Sequence, residues 1–266
     1  MRFTVALAQC GFPADGDVLS QVDAWCEEAS SQGADLVVFP ENLMSPRPLS
    51  AQELHDIAEP LNGPFALAMA ACADRHGVWV AYTQYESDDK GGRPFNTAVL
   101  LDDSGTARGS YRKTHLYDAH GVLESERTGR GDALFAPIDT PFGKVGLSIC
   151  YDLRFPEVAR AAAIDGADLL ILPAAWHDGQ EKAAHWETLL KARAIENEVF
   201  VLAAGKAGER YVGQSMVVDP LGRVLARAEA KDQELVTCTI DLSEVSAARD
   251  AMPLLAHRRP ELYRLA

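Results

Sequence analysis

The 266-residue chain carries 25 Lys and Arg against 39 Asp and Glu, a formal charge of −14. So acidic a chain lacks the basic field that nucleic acid demands and is poorly suited to an anionic membrane surface, although a local arginine can still hold an anionic small molecule. Its five cysteines, Cys10, Cys26, Cys72, Cys150 and Cys238, are odd in number and include no CxxC pair, which excludes a disulfide framework or a thiolate metal site and fits a reducing cytoplasm.

In chain order, residues 2–9 are rich in β-branched and apolar side chains and read as a strand. The opening MRFTVALAQC lacks the length and cleavage pattern of a secretion signal. After a loop at 11–16, Val18, Val22, Trp25, Cys26 and Ala29 recur at helical spacing, and Gly33 closes the helix. The run 36–39 is short and continuously apolar, as in a strand covered on both faces, and Pro40 ends it just before Glu41. A second helix spans 64–76, with Pro64 at its start and Gly77 past its end. Residues 78–85 form a strand and 88–93 a polar turn. Residues 95–101 and 106–112 form a hairpin with Lys113 at its end. Residues 115–132 lack periodicity and read as a loop over a site. A strand over 144–149 runs into Cys150, and a helix follows over 156–165.

Beyond a further apolar strand ending at Pro173 come a helix over 181–196 and strands over 199–204, 214–218, 223–227 and 235–240. Asp219-Pro220-Leu221-Gly222 turns the middle pair into a hairpin. A short helix over 241–250 precedes a tail, 251–266, that reads as extended and suited to packing on another subunit. No stretch approaches the roughly 20 apolar residues that span a bilayer. With no linker or low-complexity segment, residues 1–266 form one domain.

One short segment occurs twice. Gly33-Ala34-Asp35-Leu36 and Gly166-Ala167-Asp168-Leu169 each follow a helix and lead through an apolar strand to a proline, Pro40 and Pro173. Two similar halves, each a sheet backed by helices and packed sheet to sheet, predict an α/β fold: a four-layer α-β-β-α sandwich.

Glu41, Lys113 and Cys150 each stand at the end of a predicted strand, where the sites of open α/β sheets lie. Singly they are unremarkable: a solvated turn glutamate, a surface lysine and a small buried thiol. Together they are what one reaction needs. A thiol requires a base to become a nucleophile, a carboxylate beside an ammonium group can be that base, and the ammonium can hold an oxyanion. Histidine is the alternative base, and His115, His177 and His185 lie nearest the expected site loops. There is no HxxxH or HExxH metal spacing, no GxxxxGK[ST] and no GxGxxG, and GKAG at 205–208 reads as a turn.

The segments VVFPENL around Glu41, YRKTHLYD around Lys113, GLSICYDLRFPE around Cys150 and AHWETLLKARAIEN at 184–197 resemble the nitrilase superfamily of carbon–nitrogen hydrolases over nearly the whole chain. The resemblance implies an α-β-β-α sandwich, a Glu-Lys-Cys triad, no cofactor or metal, and a homodimer or higher homo-oligomer built by sheet extension. Carried over position by position, it makes Glu41 the general base, Lys113 the stabiliser of the oxyanion and Cys150 the nucleophile. Glu124, followed by Ser125, matches a second family glutamate that would orient Lys113 or the attacking water.

YRKTHL, CYDLRFPE, AHWE and HRRPELY resemble the omega-amidase and deaminated-glutathione-amidase branches. They imply hydrolysis of a small carboxylate-bearing amide through a thioester on Cys150. An ω-amide of a dicarboxylic or 2-oxo acid, such as 2-oxoglutaramate, leads. Deaminated glutathione or a short aliphatic amide is the alternative, and a non-catalytic binding module is the reading from another class. The Tyr151 N–H would share the oxyanion with Lys113. Tyr151 or Arg154 could meet a substrate carboxylate, although Arg154 reads more readily as a structural ion pair. Trp176 would wall the pocket or pack half-buried, with His177 beside it. The chain departs from the omega-amidases at HDGQEKA, 177–183, where they carry Thr-Gly-Pro, and in a shorter 117–124 loop.

Overall fold

A computed structural model describes residues 1–11, 16–45 and 47–263. The expected loop at 11–16 and the end of the tail therefore lie partly outside the described residues. In the first sheet, β1 (Arg2–Gln9), β2 (Leu36–Val38) and β3 (Trp79–Glu86) run parallel, and β4 (Phe95–Leu101) and β5 (Ala107–Arg112) extend it antiparallel. A small hairpin, β6 (Asp118–Ala119) and β7 (Val122–Leu123), follows. The second sheet opens with β8 (Ile138–Thr140), antiparallel to β9 (Gly143–Leu147). It continues with β10 (Leu169–Ala174) and β11 (Phe200–Gly205), parallel to β9, and ends with antiparallel β12 (Met216–Val218) and β13 (Val224–Arg227). Finally β14 (Glu234–Asp241) crosses back to lie antiparallel beside β1.

The orders β14-β1-β2-β3-β4-β5 and β8-β9-β10-β11-β12-β13 are the same pattern twice: one antiparallel strand, three parallel, two antiparallel. The repeated GADL segment enters the equivalent strands β2 and β10. Gly33 and Gly166 take φ of 76° and 92° as they leave helices α1 (Val18–Ser31) and α4 (Pro156–Ile164), a left-handed stop that a Cβ would strain. Asp35 Oδ2 then accepts from Thr4 N at 2.7 Å, and Asp168 Oδ2 from Lys144 N at 3.0 Å. Each aspartate side chain thus satisfies an N–H of the neighbouring strand just before regular pairing begins.

Helix α2 (Ala51–Ile57) is short; α1 and α3 (Pro64–His76) cover the first sheet, and α4 and α5 (Lys182–Asn197) cover the second. The strand period of two separates the layers. Val5 and Leu7 of β1 point into the core shared with the second sheet, whereas Ala6 and Ala8 point to α1 and α3. Trp186, Phe200, Leu169 and Ile149 are fully buried; each such side chain contributes about 1.5–3 kcal/mol of burial.

Several expectations change. The strand before Cys150 stops at Leu147, because Ile149 N–H turns to the Asp152 carboxylate at 2.9 Å. Pro173 lies within β10 and does not end it. Its missing N–H faces the side where β9 has already stopped, since β9–β10 pairing ends at Leu147 and Ile171, so no ladder bond is lost. The 115–132 loop contains β6, β7 and a 3-10 turn at Glu124–Glu126. The last helix, α6 (Ser243–Ala251), is followed by a tail that is turned, with a 3-10 segment at Pro260–Leu262, where an extended run was expected. No described helix is long and apolar enough to cross a membrane.

Candidate active site

Beyond β9, Ser148 N–H still bonds Ile171 O at 3.0 Å, but Cys150 takes φ 44°. A left-handed residue with a Cβ costs roughly 1–2 kcal/mol, and here it throws the thiol out of the sheet into a cavity. Asp152 holds the bend. Its buried Oδ2 accepts from Ile149 N–H and from Tyr111 OH at 2.8 Å, while its Oδ1 accepts from His115 N–H at 3.2 Å and lies 2.8 Å from His115 Nδ1. One carboxylate therefore ties the Cys150 turn to the segment leaving Lys113. The His115 ring stacks on Phe155, and His185 is exposed on α5, so neither is placed to serve the thiol.

The structure brings the other candidates together above Cys150. Lys113 Nζ lies 2.8 Å from Glu41 Oε1 and 2.9 and 3.1 Å from the two Glu124 oxygens. Asn96 Nδ2 donates to Glu41 Oε1 at 2.8 Å, and the Ala175 N–H donates to Oε2 at 2.8 Å. Glu124 is fixed in turn by the Tyr117 N–H at 2.7 Å. Glu41 and Lys113 are buried at 3% and 2% exposure, which makes their charges depend on each other. Burial opposes the Glu41 charge, but Lys113 outweighs it and holds the carboxyl below its ordinary range. Burial likewise opposes the Lys113 charge, and Glu124 and then Glu41 hold it well above. For Cys150, burial first and the Glu41 carboxylate second push the thiol well above its usual value. The resting set is thus carboxylate, ammonium and neutral thiol.

These groups open on a cavity of about 490 Å³. Tyr151, Arg154, Trp176 and His177 all line it. The Arg154 guanidinium sits 4.6 Å over the Trp176 ring and makes no ion pair among the described residues, which corrects the expectation of a structural ion pair. Trp176 is both wall and packing aromatic: it is 5% exposed, donates to Lys182 O at 3.0 Å and packs on Trp186. His177 lies between Tyr117 and Tyr211, and burial first lowers its pKa. The Tyr151 N–H has no acceptor among the described residues.

Sequence reasoning missed Asn96, the Ala175 N–H, the hub role of Asp152, and Lys206. The GKAG segment, read as a turn, ends β11 and buries Lys206, which donates to Asn42 O at 2.8 Å and Ser45 O at 2.9 Å. It clamps the loop that follows Glu41, and burial lowers its pKa to about 8.

Residues 4–250 match the carbon–nitrogen hydrolase family model. The chain belongs to that family. It is 38% identical to the deaminated glutathione amidase of Mus musculus over 253 residues, covering 89% of this chain and 77% of that protein. To the nitrilase and fragile histidine triad fusion protein NitFhit of Caenorhabditis elegans it is 34% identical, over 97% of this chain and 62% of the fusion, so the chain spans under two thirds of that relative. The crystal structure of that NitFhit superposes with a TM-score of 0.91, at 35% identity, over 99% of this chain and 66% of the other. Saccharomyces cerevisiae Nit3, described as a member of branch 10 of the nitrilase superfamily, superposes with a TM-score of 0.86 at 30% identity over 97% of both chains. These neighbours share the α-β-β-α sandwich of the nitrilase superfamily.

Proposed function

We propose that this chain is a cysteine amidase acting on a linear amide that carries carboxylates, through a thioester on Cys150. The observation that carries the reading is the buried Glu41–Lys113–Glu124 chain of charges set over a thiol on a strained turn. As Cys150 Sγ attacks the amide carbon, Glu41 takes the thiol proton and the carbonyl π pair moves onto oxygen. That oxyanion accepts from the Tyr151 N–H and from Lys113, whose ammonium turns one N–H to it from the second Glu124 oxygen. Collapse expels the amine, which takes the proton back from Glu41. Glu41 then takes a proton from water as the water oxygen attacks the thioester; collapse breaks the C–S bond, frees the acid and returns that proton to the Cys150 sulfur. Glu124 keeps Lys113 charged and in place while Glu41 changes protonation.

The substrate class rests on charge. Arg127, Arg154, Lys182 and Arg210 line the cavity without an ion-pair partner among the described residues, in a chain of net charge −14. Such a local positive field favours anionic ligands. Two amides fit the reading. An ω-amide such as 2-oxoglutaramate would release ammonia. Deaminated glutathione, which is glutathione with an oxo group in place of its glutamyl amino group, would release a dipeptide amine from the same acyl group. The relatives' name and a cavity roomier than a small ω-amide requires favour the second. Five free cysteines suit a reducing cytoplasm. Exposed Ile164 and Ile195 on α4 and α5 support a homodimer.

Both amides give the same acid, 2-oxoglutarate, so its appearance measures the two on one scale. The expected result is hydrolysis of both, with a higher kcat/KM for deaminated glutathione, and no product from Cys150→Ala. Turnover of neither amide, or product formation by the Cys150→Ala protein, would sink the reading.

A further inference from the structure

On the outer face of the first sheet, α1 and α3 pack side by side, and their contact gathers four side chains that the reaction does not use. Asp23 and Cys26 lie one turn apart on α1, and Cys72 and His76 lie one turn apart on α3. Those spacings set each pair on one helix face. A carboxylate oxygen of Asp23, Cys72 Sγ and a ring nitrogen of His76 all lie within 4.8 Å of one another. The Cys26 thiol, fully buried, lies outside that cluster. His76 Nε2 lies 2.9 Å from Asp23 Oδ1, while Asp23 Oδ2 has no partner among the described residues.

A sulfur, an imidazole and a carboxylate form a donor set suited to zinc-like ions, with a fourth position open to solvent. Bonds of about 2.0–2.3 Å in a tetrahedron place ligand atoms roughly 3.3–3.8 Å apart. The three measured atoms need only a small inward movement to reach that spacing. Cys72 forms the floor at 5% exposure. His76 and Asp23, with side chains 12% and 36% exposed, form a rim that solvent reaches. Arg75 pairs with Asp23 from outside, and its side chain is 60% exposed, so it can swing clear. None of the four residues lines the catalytic cavity.

We propose that the contact between α1 and α3 is a binding site for a thiophilic divalent cation of the zinc type, ligated by Cys72, His76 and Asp23, with solvent in the fourth position. The Cys72 thiol gives its proton to solvent as its sulfur pair binds the metal, and nothing is oxidised. The bound ion would pin together the two helices that back the sheet from which Glu41 and Lys113 project. Sequence spacing hid the site because its ligands come from two helices, and Cys72 with His76 is not an HxxxH pair.

The test is Co²⁺ titration of chelator-treated full-length protein carrying Cys150→Ala, which removes the cavity thiol. One equivalent should bind with a sulfur-to-cobalt charge-transfer band and intense tetrahedral visible bands, and Zn²⁺ should displace it and raise the Tm. Cys72→Ser should abolish the charge-transfer band. His76→Gln, on the rim and tolerant of substitution, should weaken Co²⁺ binding about tenfold or more. In the protein that retains Cys150, His76→Gln should leave amidase kcat/KM unchanged. No charge-transfer band in the parent protein, or bands and affinity unaltered in both variants, overturns the proposal.

Discussion

Glu41→Gln separates the proposed base from the proposed nucleophile. Three of the carboxylate's four lone-pair sites are taken: Oε1 accepts from Lys113 and Asn96, and Oε2 from Ala175 N–H, which leaves Oε2 one site for the thiol proton. A glutamine must turn its NH₂ toward at least one of those donors, at about 1–3 kcal/mol for the unsatisfied contact. Lys113 keeps Glu124 and stays charged, so the fold should survive. Loss of the base should lower kcat/KM about 10²–10⁴-fold, or roughly 3–5 kcal/mol of barrier. The thiol should respond the other way. Burial and then the Glu41 charge hold Cys150 protonated, while Lys113 opposes them. Without the Glu41 charge, thiolate should form at lower pH. Alkylation of Cys150 by iodoacetamide, followed by mass spectrometry across a pH series, should therefore begin at lower pH in the variant, even as amide turnover collapses. Turnover within tenfold of the parent, or alkylation shifted to higher pH, would refute the assignment of Glu41.

Asp152→Asn should loosen the bend, because its amide nitrogen must face either the Ile149 and Tyr111 donors or those of His115. With hydrogen bonds to a charged group at about 1.5–3 kcal/mol each, the expected outcome is a lower Tm and a fall in kcat with KM little changed. Arg154→Met should raise KM for carboxylate-bearing amides about 10–100-fold while leaving a neutral aliphatic amide unaffected. Lys206 gives up its proton near pH 8 when folded but near 10.5 when unfolded, so the unfolded chain holds more protons between those values and stability rises with pH across them. Urea unfolding should show the parent gaining about 3 kcal/mol on Lys206→Met between those pH values.

Glu41, Lys113 and Cys150 stood out as candidates because a short apolar run leading to a charged or nucleophilic side chain is a local pattern, although the strand before Cys150 stops at Leu147 and Pro173 lies inside β10. The repeat was legible because both copies of GADL keep the same Gly stop and Asp bond to the next strand. Helix α2 was passed over, although Ser50 and Glu53 form a capping box that the sequence displays, because seven residues show little periodicity. What stayed hidden was which residues far apart in the chain meet. The Ala175 N–H reaches Glu41 across 134 residues, and Asn96 reaches it across 55. Hydrophobic alternation says which face a residue takes, but not which residues of two packed sheets meet. Lys206, between small residues and a glycine, read as a turn until the pairing of β10 with β11 carried it to the cavity.

The same repeat poses a question about chemistry. In the first half Val5 pairs with Leu36, and in the second Val145 pairs with Leu169, the leucines of the two GADL copies. Counting on from those valines, the strands reach Cys10 and Cys150 at equivalent steps. Only one thiol can react. Cys150 adopts the left-handed turn and reaches the cavity, whereas Cys10 has no positive φ and is fully buried. Burial, the leading cause, pushes the Cys10 thiol up to about 12. Its carbonyl accepts from Ala207 N–H at 3.0 Å, and a Cβ on Gly11 would lie 2.6 Å from Ala207 O, so the chain there runs on against β11 without bending out. On the proposed function, position in the sheet therefore does not make the nucleophile; the bend and its Asp152 support do. Cys10→Ala should cost about 1 kcal/mol of core burial and keep kcat/KM, whereas Cys150→Ala should keep the Tm and lose turnover. An equal loss of turnover in a folded Cys10→Ala protein would show that the reasoning from the bend is wrong.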